Sequence, residues 1–235
     1  MSKKVKFLAL SEFPNDSGPI YLETVEGRFP VEPWNTYSNL IFVAILVYWG
    51  LKVYKNPKQY QFLAWVFPII AISYVGGTIY HATRSAELWL LLDWVPIMVL
   101  CIALIIYFIF KIVDQWWQRL LFMVLLFGAS FLLRILPLPN QLRISLGYVI
   151  TAMTILLPIV WYLAKTHWKN VGPVLIAFAI FALAVYFRSI DRQEILPMGT
   201  HWLWHFLGGI SVHFLIAYIY RDNSLNLSAR NESRP

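Results

Sequence analysis

The feature that most restricts this 235-residue chain is a series of long apolar runs. Seven can be read, over roughly residues 36–54, 60–82, 87–111, 117–136, 143–164, 170–187 and 200–220. Each is about 18–25 residues, the length an α-helix needs to cross about 30 Å of hydrocarbon. Inside a bilayer the backbone polar groups must be satisfied within the segment, so each run is expected to be a helix. The fold class that follows is an all-α membrane protein, a seven-transmembrane helix bundle. Only 13% of the residues are charged, against roughly a quarter in soluble domains, and the mean hydropathy is +0.61. The runs are separated by turn chemistry or charge: Asn56-Pro57-Lys58, Arg84-Ser85, Asp114-Gln115, Pro137-Leu138-Pro139-Asn140, Lys165-Thr166-His167, and Arg188 to Pro197. Trp34, Trp89, Trp116, Trp117, Trp168 and Trp202 stand where apolar runs meet polar residues, the aromatic belt of a membrane interface. The fourth run carries Arg134 near its end, where a long cationic side chain can snorkel.

These boundaries divide the chain into a polar N-terminal segment (1–34), a membrane domain (35–220) and a polar tail (221–235) expected to be disordered. No secretory signal peptide is expected, since residues 1–34 lack an apolar core; the first span is read as an uncleaved signal anchor. The net charge of +7 would suggest nucleic acid in a soluble protein. Here the basic residues lie mostly in short loops, where topology and lipid headgroups account for them, and no nucleic-acid partner is expected. The lone Cys101 excludes an intrachain disulfide and a cysteine-rich metal site. Seven spans put the termini on opposite sides. Arg28, Arg84, Arg134, Arg143, Arg188 and Arg192 flank the membrane on the N-terminal side. Lys52, Lys55, Lys58, Lys111, Arg119, Lys165, Lys169, Arg221, Arg230 and Arg234 lie on the other. The excess places the C-terminus in the cytoplasm and the N-terminus outside; Lys3, Lys4 and Lys6 would nearly level it.

Ionisable residues in membrane spans are costly and mark function. An up-and-down path brings His81 (end of the second span), Asp93 (early in the third) and His201 and His205 (start of the seventh) to the N-terminal side. His201 and His205 are spaced i, i+4, so their rings leave one helix face. Two such imidazoles and a third from another helix leave one position open for water, the layout of a catalytic zinc site. Asp93 is the candidate to position that water and carry its proton. Haem ligation or interhelical hydrogen bonds compete for the histidine pair, and Asp93 can equally be a partner for Arg84 or Arg188. His167 and His213 are read as hydrogen-bonded tethers. Glu23, Glu26 and Glu32 cluster before the first span; clustered oxygens suit calcium, and a solvated acidic loop is the plainer reading. Asn35, Ser38 and Asn39 share one face of the first helix and are read as an interhelical polar seam.

Three segments, EPWNTYSNL (Glu32–Leu40), GGTIYHATRSAELWLLLDWVPI (Gly76–Ile97) and GTHWLWHFLGG (Gly199–Gly209), resemble the alkaline ceramidase family. That family belongs to a superfamily of seven-span membrane hydrolases that includes the adiponectin receptors. The matching patterns are Glu-x-x-Asn-Thr-x-Ser-Asn, a Ser-x-x-x-His with a downstream Asp-x-x-Pro, and His-x-x-x-His. The resemblance implies zinc on His81, His201 and His205, with Asp93 beside its water. It implies hydrolysis of the amide of N-acyl sphingoid bases, ceramide-like membrane lipids, to a fatty acid and a sphingoid base. It also implies calcium on an acidic N-terminal segment, to which Glu32 and Glu23 correspond. The chain departs from the family in two places. The family Ser is Gly77 here, so a hydroxyl must come from Thr78 or Ser73; losing an oxyanion donor costs roughly 10²–10³ in rate. The N-terminal segment lacks much of the animal calcium pattern, and its Ile20–Glu23 stretch is more similar to bacterial-type members. The other reading is a receptor or scaffold with a structural zinc; a third is a haem or ion-transport protein.

Overall fold

Apolar runs of this length fold as helices, and the computed structural model is built from helices alone among the residues it describes. These are 13–135 and 140–232, excepting the side chains of 129–130, 133–134, 140–152 and 226–232. The helices are α1 (Pro33–Ser38), α2 (Leu40–Val53), α3 (Gln61–Thr83), α4 (Glu87–Ile112), α5 (Trp116–Ile135), α6 (Asn140–Lys165), α7 (Val171–Ser189) and α8 (His201–Glu232), with a 3₁₀ turn at Asp191–Gln193. The Pro137-Leu138-Pro139 break and the side chains of Arg134 and Arg143 lie outside the described residues, as do Lys3, Lys4, Lys6 and Glu12.

Five helical segments are long and apolar enough to cross a membrane: Pro33–Val53, Gln61–Thr83, Glu87–Ile112, Val171–Ser189 and His201–Leu225. That is compatible with a multi-pass integral membrane protein. In α5 and α6 the described apolar stretches are shorter, Trp116–Gly128 and Met153–Lys165. The outward faces carry large apolar side chains such as Trp65, 77% exposed, and Leu51, 68% exposed, as a lipid-facing surface requires.

Helix ends are set locally. Pro33 opens α1, where its missing N–H costs nothing. Arg84 closes α3 in the left-handed conformation (φ 48°), its N–H bonded to the Tyr80 carbonyl. Pro68, Pro96 and Pro158 lie inside α3, α4 and α6. The α3–α4 crossing is tight at Gly76 and Gly77. A Cβ at Gly76 would stand 2.3 Å from the Leu92 Cβ, and one at Gly77 would stand 2.3 Å from Asp93 Oδ1. Paired glycines let two membrane helices approach this closely.

The interior is divided. Toward the end opposite the α8 N-terminus it is apolar, with Trp49, Val53, Leu63, Phe67, Phe108, Leu163 and Ile216 packed together. Around the start of α8 it is polar, holding buried His81, Arg84, Glu32, Asn35, His201 and His205.

The polar tail departs from expectation. Helix α8 runs on to Glu232 rather than ending near Tyr220. Asp222 accepts from Lys111 and, at 2.9 Å, from the Tyr162 hydroxyl. Asn223 accepts from Tyr107 at 3.0 Å, and Ser224 pairs with Tyr60 at 3.0 Å. The drop in hydropathy at Arg221 therefore marks polar docking against α4, α6 and Tyr60 just before α3, not the end of the helix.

Candidate metal centre

His81 stands in the last turn of α3, and His201 and His205 in the first two turns of α8. All three are buried, and one ring nitrogen from each lies within 4.8 Å of the others. The ring centroids are 4.8 Å apart for His81–His205 and His201–His205, and 5.5 Å for His81–His201. Among the described residues this is the one group of three or more His, Cys, Asp or Glu side chains that could hold a metal ion.

The surroundings prepare two rings to be ligands. His81 Nδ1 donates to Glu32 Oε2 at 2.5 Å, and its Nε2 is buried with no hydrogen-bond partner. His205 Nδ1 lies 3.1 Å from the Asn35 carbonyl and 2.9 Å from Ser38 Oγ. A carbonyl only accepts, so Nδ1 carries the proton and Nε2 keeps its lone pair. Such outer-nitrogen hydrogen bonds are the usual support of a metal-binding imidazole. His201 is held differently. Its ring stacks on Tyr21 with centroids 3.9 Å apart, and its Nδ1 is buried without a partner. Its backbone N–H, with that of Thr200, is bound by Asp191 Oδ1 at 2.8 and 2.7 Å, which caps α8. Three convergent imidazoles, with His81 Nε2 and His201 Nδ1 buried and unpartnered, could hold a metal ion.

Glu32 links this centre to a buried charge chain. Its Oε1 accepts from Thr24 (2.6 Å) and Arg84 (2.7 Å); its Oε2 serves His81 and, at 3.2 Å, the Asn35 amide. Arg84 also grips both Asp16 oxygens, at 2.9 and 2.6 Å, and reaches the Pro19 carbonyl. Burial alone would raise the Glu32 carboxyl, but the bonds from His81, Thr24 and Arg84 hold it below the usual carboxylate range. Glu23 sits elsewhere in the pattern. Its two oxygens take the backbone N–H groups of Trp34 (2.9 Å) and Asn35 (2.6 Å), capping α1, and burial pushes its carboxyl upward. Both acids suggested for calcium are thus engaged by protein donors, and the cation beside Glu32 is the Arg84 guanidinium. Glu26 is exposed.

Asp93 is brought to α3 at Gly77. Its carboxylate fills the space a side chain at residue 77 would need, so a hydroxyl there and Asp93 in this pose exclude each other. Thr78 Oγ1 is buried with no partner, whereas Ser73 Oγ donates to the Asp93 carbonyl at 2.9 Å and is committed to the α3–α4 crossing. Arg84 pairs with Asp16 and Glu32, and Arg188 lies over Trp204 at 4.8 Å, so neither open pairing for Asp93 is formed as an ion pair. Of the expected interhelical seam, Ser38 reaches His205 on α8 at 2.9 Å, whereas the amides of Asn35 and Asn39 donate locally, to Glu32 at 3.2 Å and to the Asn35 carbonyl at 3.1 Å. His213 accepts from Trp49 Nε1 at 3.1 Å, as a tether does.

Residues that sequence reasoning missed are Tyr21, Asp16 and Asp191. Tyr21 lies on the loop before α1, and Asp191 holds that loop by accepting from the Leu22 N–H at 3.1 Å. Burial first, and then the Asp93 charge, push the Tyr21 phenol far above its usual range, so it stays neutral. No periodicity signals such residues, because their partners are 68 and 169 positions away in the chain.

No protein-family model matches the chain, and none of the curated proteins matches it.

Proposed function

We propose that this protein is a zinc-dependent intramembrane amidohydrolase of the alkaline ceramidase type, acting on N-acyl sphingoid bases. The observation that carries the reading is the buried convergence of His81, His201 and His205, with the outer nitrogens of two rings held by Glu32, Ser38 and the Asn35 carbonyl. His81 and His205 would bind the metal through Nε2, and His201 would complete the set. When bound, zinc supplies Lewis-acid polarisation of a carbonyl and lowers the pKa of water. Asp93, packed on Gly77, receives the proton of the attacking water and returns it to the leaving amine. Thr78, one turn before His81 with a free buried hydroxyl, is the candidate oxyanion donor.

In this reading α5 and α6 also cross the bilayer, giving seven spans, with the N-terminus outside and the C-terminus cytoplasmic. The acyl chain reaches the site laterally between helices. A second reading is a receptor or scaffold with a structural zinc; the missing hydroxyl at Gly77 favours it. Elemental analysis of detergent-purified protein and a fatty-acid release assay on a panel of lipid amides separate the two. Zinc near one per chain, with release that disappears in Asp93→Ala while zinc stays, supports the hydrolase. Zinc without release from any lipid amide, with Asp93→Asn folding normally, supports the scaffold. A His201→Ala protein that keeps stoichiometric zinc refutes the ligand set of both.

A further inference from the structure

A groove of about 320 Å³ opens between α2, α7 and α8, toward the end of the bundle opposite the three histidines. Its wall includes Tyr48 and Trp49 of α2, Gly172 of α7, and His213, Ala217 and Arg221 of α8. The α8 residues are spaced i, i+4, i+8, so they share one face, with a small side chain between His213 and Arg221. Arg221 is exposed at the outer end, some 30 Å along α8 from His201 at about 1.5 Å per residue. Lys52, in the last turn of α2, stands 4.0 Å above the Tyr48 ring and donates to its hydroxyl at 2.6 Å. Neither Lys52 nor Arg221 forms an ion pair among the described residues, and no acidic residue lines the groove.

Deeper in, His213 supplies a donor. Trp49 Nε1 can only donate, so His213 Nδ1 is the acceptor in their 3.1 Å bond. The neutral ring therefore carries its proton on Nε2. Roughly two helical turns, about 12 Å, separate His213 from Arg221. The groove thus offers Arg221 at its exposed end, Lys52 over the Tyr48 and Trp49 rings that form one wall, the His213 imidazole two turns along from Arg221, and apolar and aromatic walls. Phosphate, then ester carbonyl, then acyl chain is the order in which a membrane phospholipid presents the complementary groups.

We propose that this groove is a binding site for an anionic phospholipid, its phosphate held by Arg221 and Lys52 and its upper acyl region lying against Tyr48, Trp49 and Ala217. The site is separate from the metal centre and does not rest on the hydrolase reading.

The test is native mass spectrometry and thermal unfolding of the full chain in detergent, titrated with phosphatidylglycerol, phosphatidylcholine or inorganic phosphate. Phosphatidylglycerol is expected to remain bound and to raise the melting temperature, where phosphatidylcholine does so far less and inorganic phosphate not at all. The double variant Lys52→Gln/Arg221→Gln should bind it about thirtyfold more weakly, given the strength of two basic residues near an anionic headgroup. Gly172→Phe provides a second route. Nothing lies within 4 Å of where its Cβ would stand, so the ring can enter the groove and displace lipid with both cations intact. Equal binding of phosphatidylglycerol and phosphatidylcholine would overturn the proposal, as would stabilisation by inorganic phosphate alone. So would unchanged phosphatidylglycerol affinity in the folded variants.

Discussion

Replacing Glu32 by Gln changes one atom, and the structure makes that atom decisive. Glu32 is fully buried, and both its oxygens face donors: Thr24 and Arg84 on one side, His81 and Asn35 on the other. An amide has one acceptor and one donor end, so one side must become donor against donor. If the NH₂ faces Arg84, a buried guanidinium loses one of its two carboxylate partners; breaking a buried pair costs about 3–5 kcal/mol. If it faces His81, the imidazole must accept at Nδ1 and carry its proton on Nε2, and the lone pair needed for a metal is gone. In either orientation the side chain is neutral, so Arg84 loses an ionic partner and His81 its carboxylate support; loss of such a support typically costs about 10–100-fold in metal affinity. Glu32→Gln is therefore expected to unfold at lower temperature in chelator and to lose zinc to a competing chelator at least tenfold more readily. Asp16→Asn is the control, because it touches the same guanidinium but no histidine. It should lower the melting temperature while leaving zinc affinity near wild type. Zinc held as tightly by Glu32→Gln as by wild type, or weakened equally by Asp16→Asn, would refute the role of Glu32 in supporting His81. The pH dependence has a definite sign. The Glu32 carboxyl is lowered on folding, so its stabilisation is complete above its ordinary value of 4.5 and is lost as pH falls through the lower folded-state value. The metal-free protein should accordingly lose stability in acid below that point, and Glu32→Gln should flatten the acid limb of a melting-temperature profile.

Three further outcomes are expected. Tyr21→Ala should weaken zinc about twofold to tenfold by freeing the His201 ring, given about 0.5–1.5 kcal/mol for an aromatic pair, while Tyr21→Phe, which keeps the stack, should not; chelator competition reads both. Gly77→Ser should destabilise by about 1–3 kcal/mol, since its Cβ would lie 2.3 Å from Asp93 Oδ1, and an unchanged melting temperature would show that Asp93 moves freely. Calcium should leave the melting temperature of the zinc-loaded protein unchanged, because Arg84 already supplies the charge beside Glu32; a rise with calcium that vanishes in Glu23→Gln would reverse that assignment.

Much of this protein could be read from local pattern. Runs of about twenty apolar residues have one low-energy form in hydrocarbon, so the helices and their order follow from hydropathy. The i, i+4 spacing of His201 and His205 puts two rings on one face of any helix, and an alternating path brings His81 to the same end. What local pattern misreads is partnership. Glu23 and Glu32 look alike as acids before a span, yet one caps α1 and the other orients His81, because only the folded loop decides which donors reach which carboxylate. Arg84, a cation in a short loop, becomes the buried hub of Asp16 and Glu32. Gly77 reads as a lost hydroxyl, but the α3–α4 crossing puts the Asp93 carboxylate in that space. The residues after Tyr220 read as a tail because they are polar, whereas Lys111, Tyr162 and Tyr107 bind Asp222 and Asn223 and carry the helix onward. Hydropathy and spacing act over a few residues along one helix. Among the described residues, hydrogen bonds and ion pairs join groups up to 172 positions apart, and only the crossing of helices decides which of them meet.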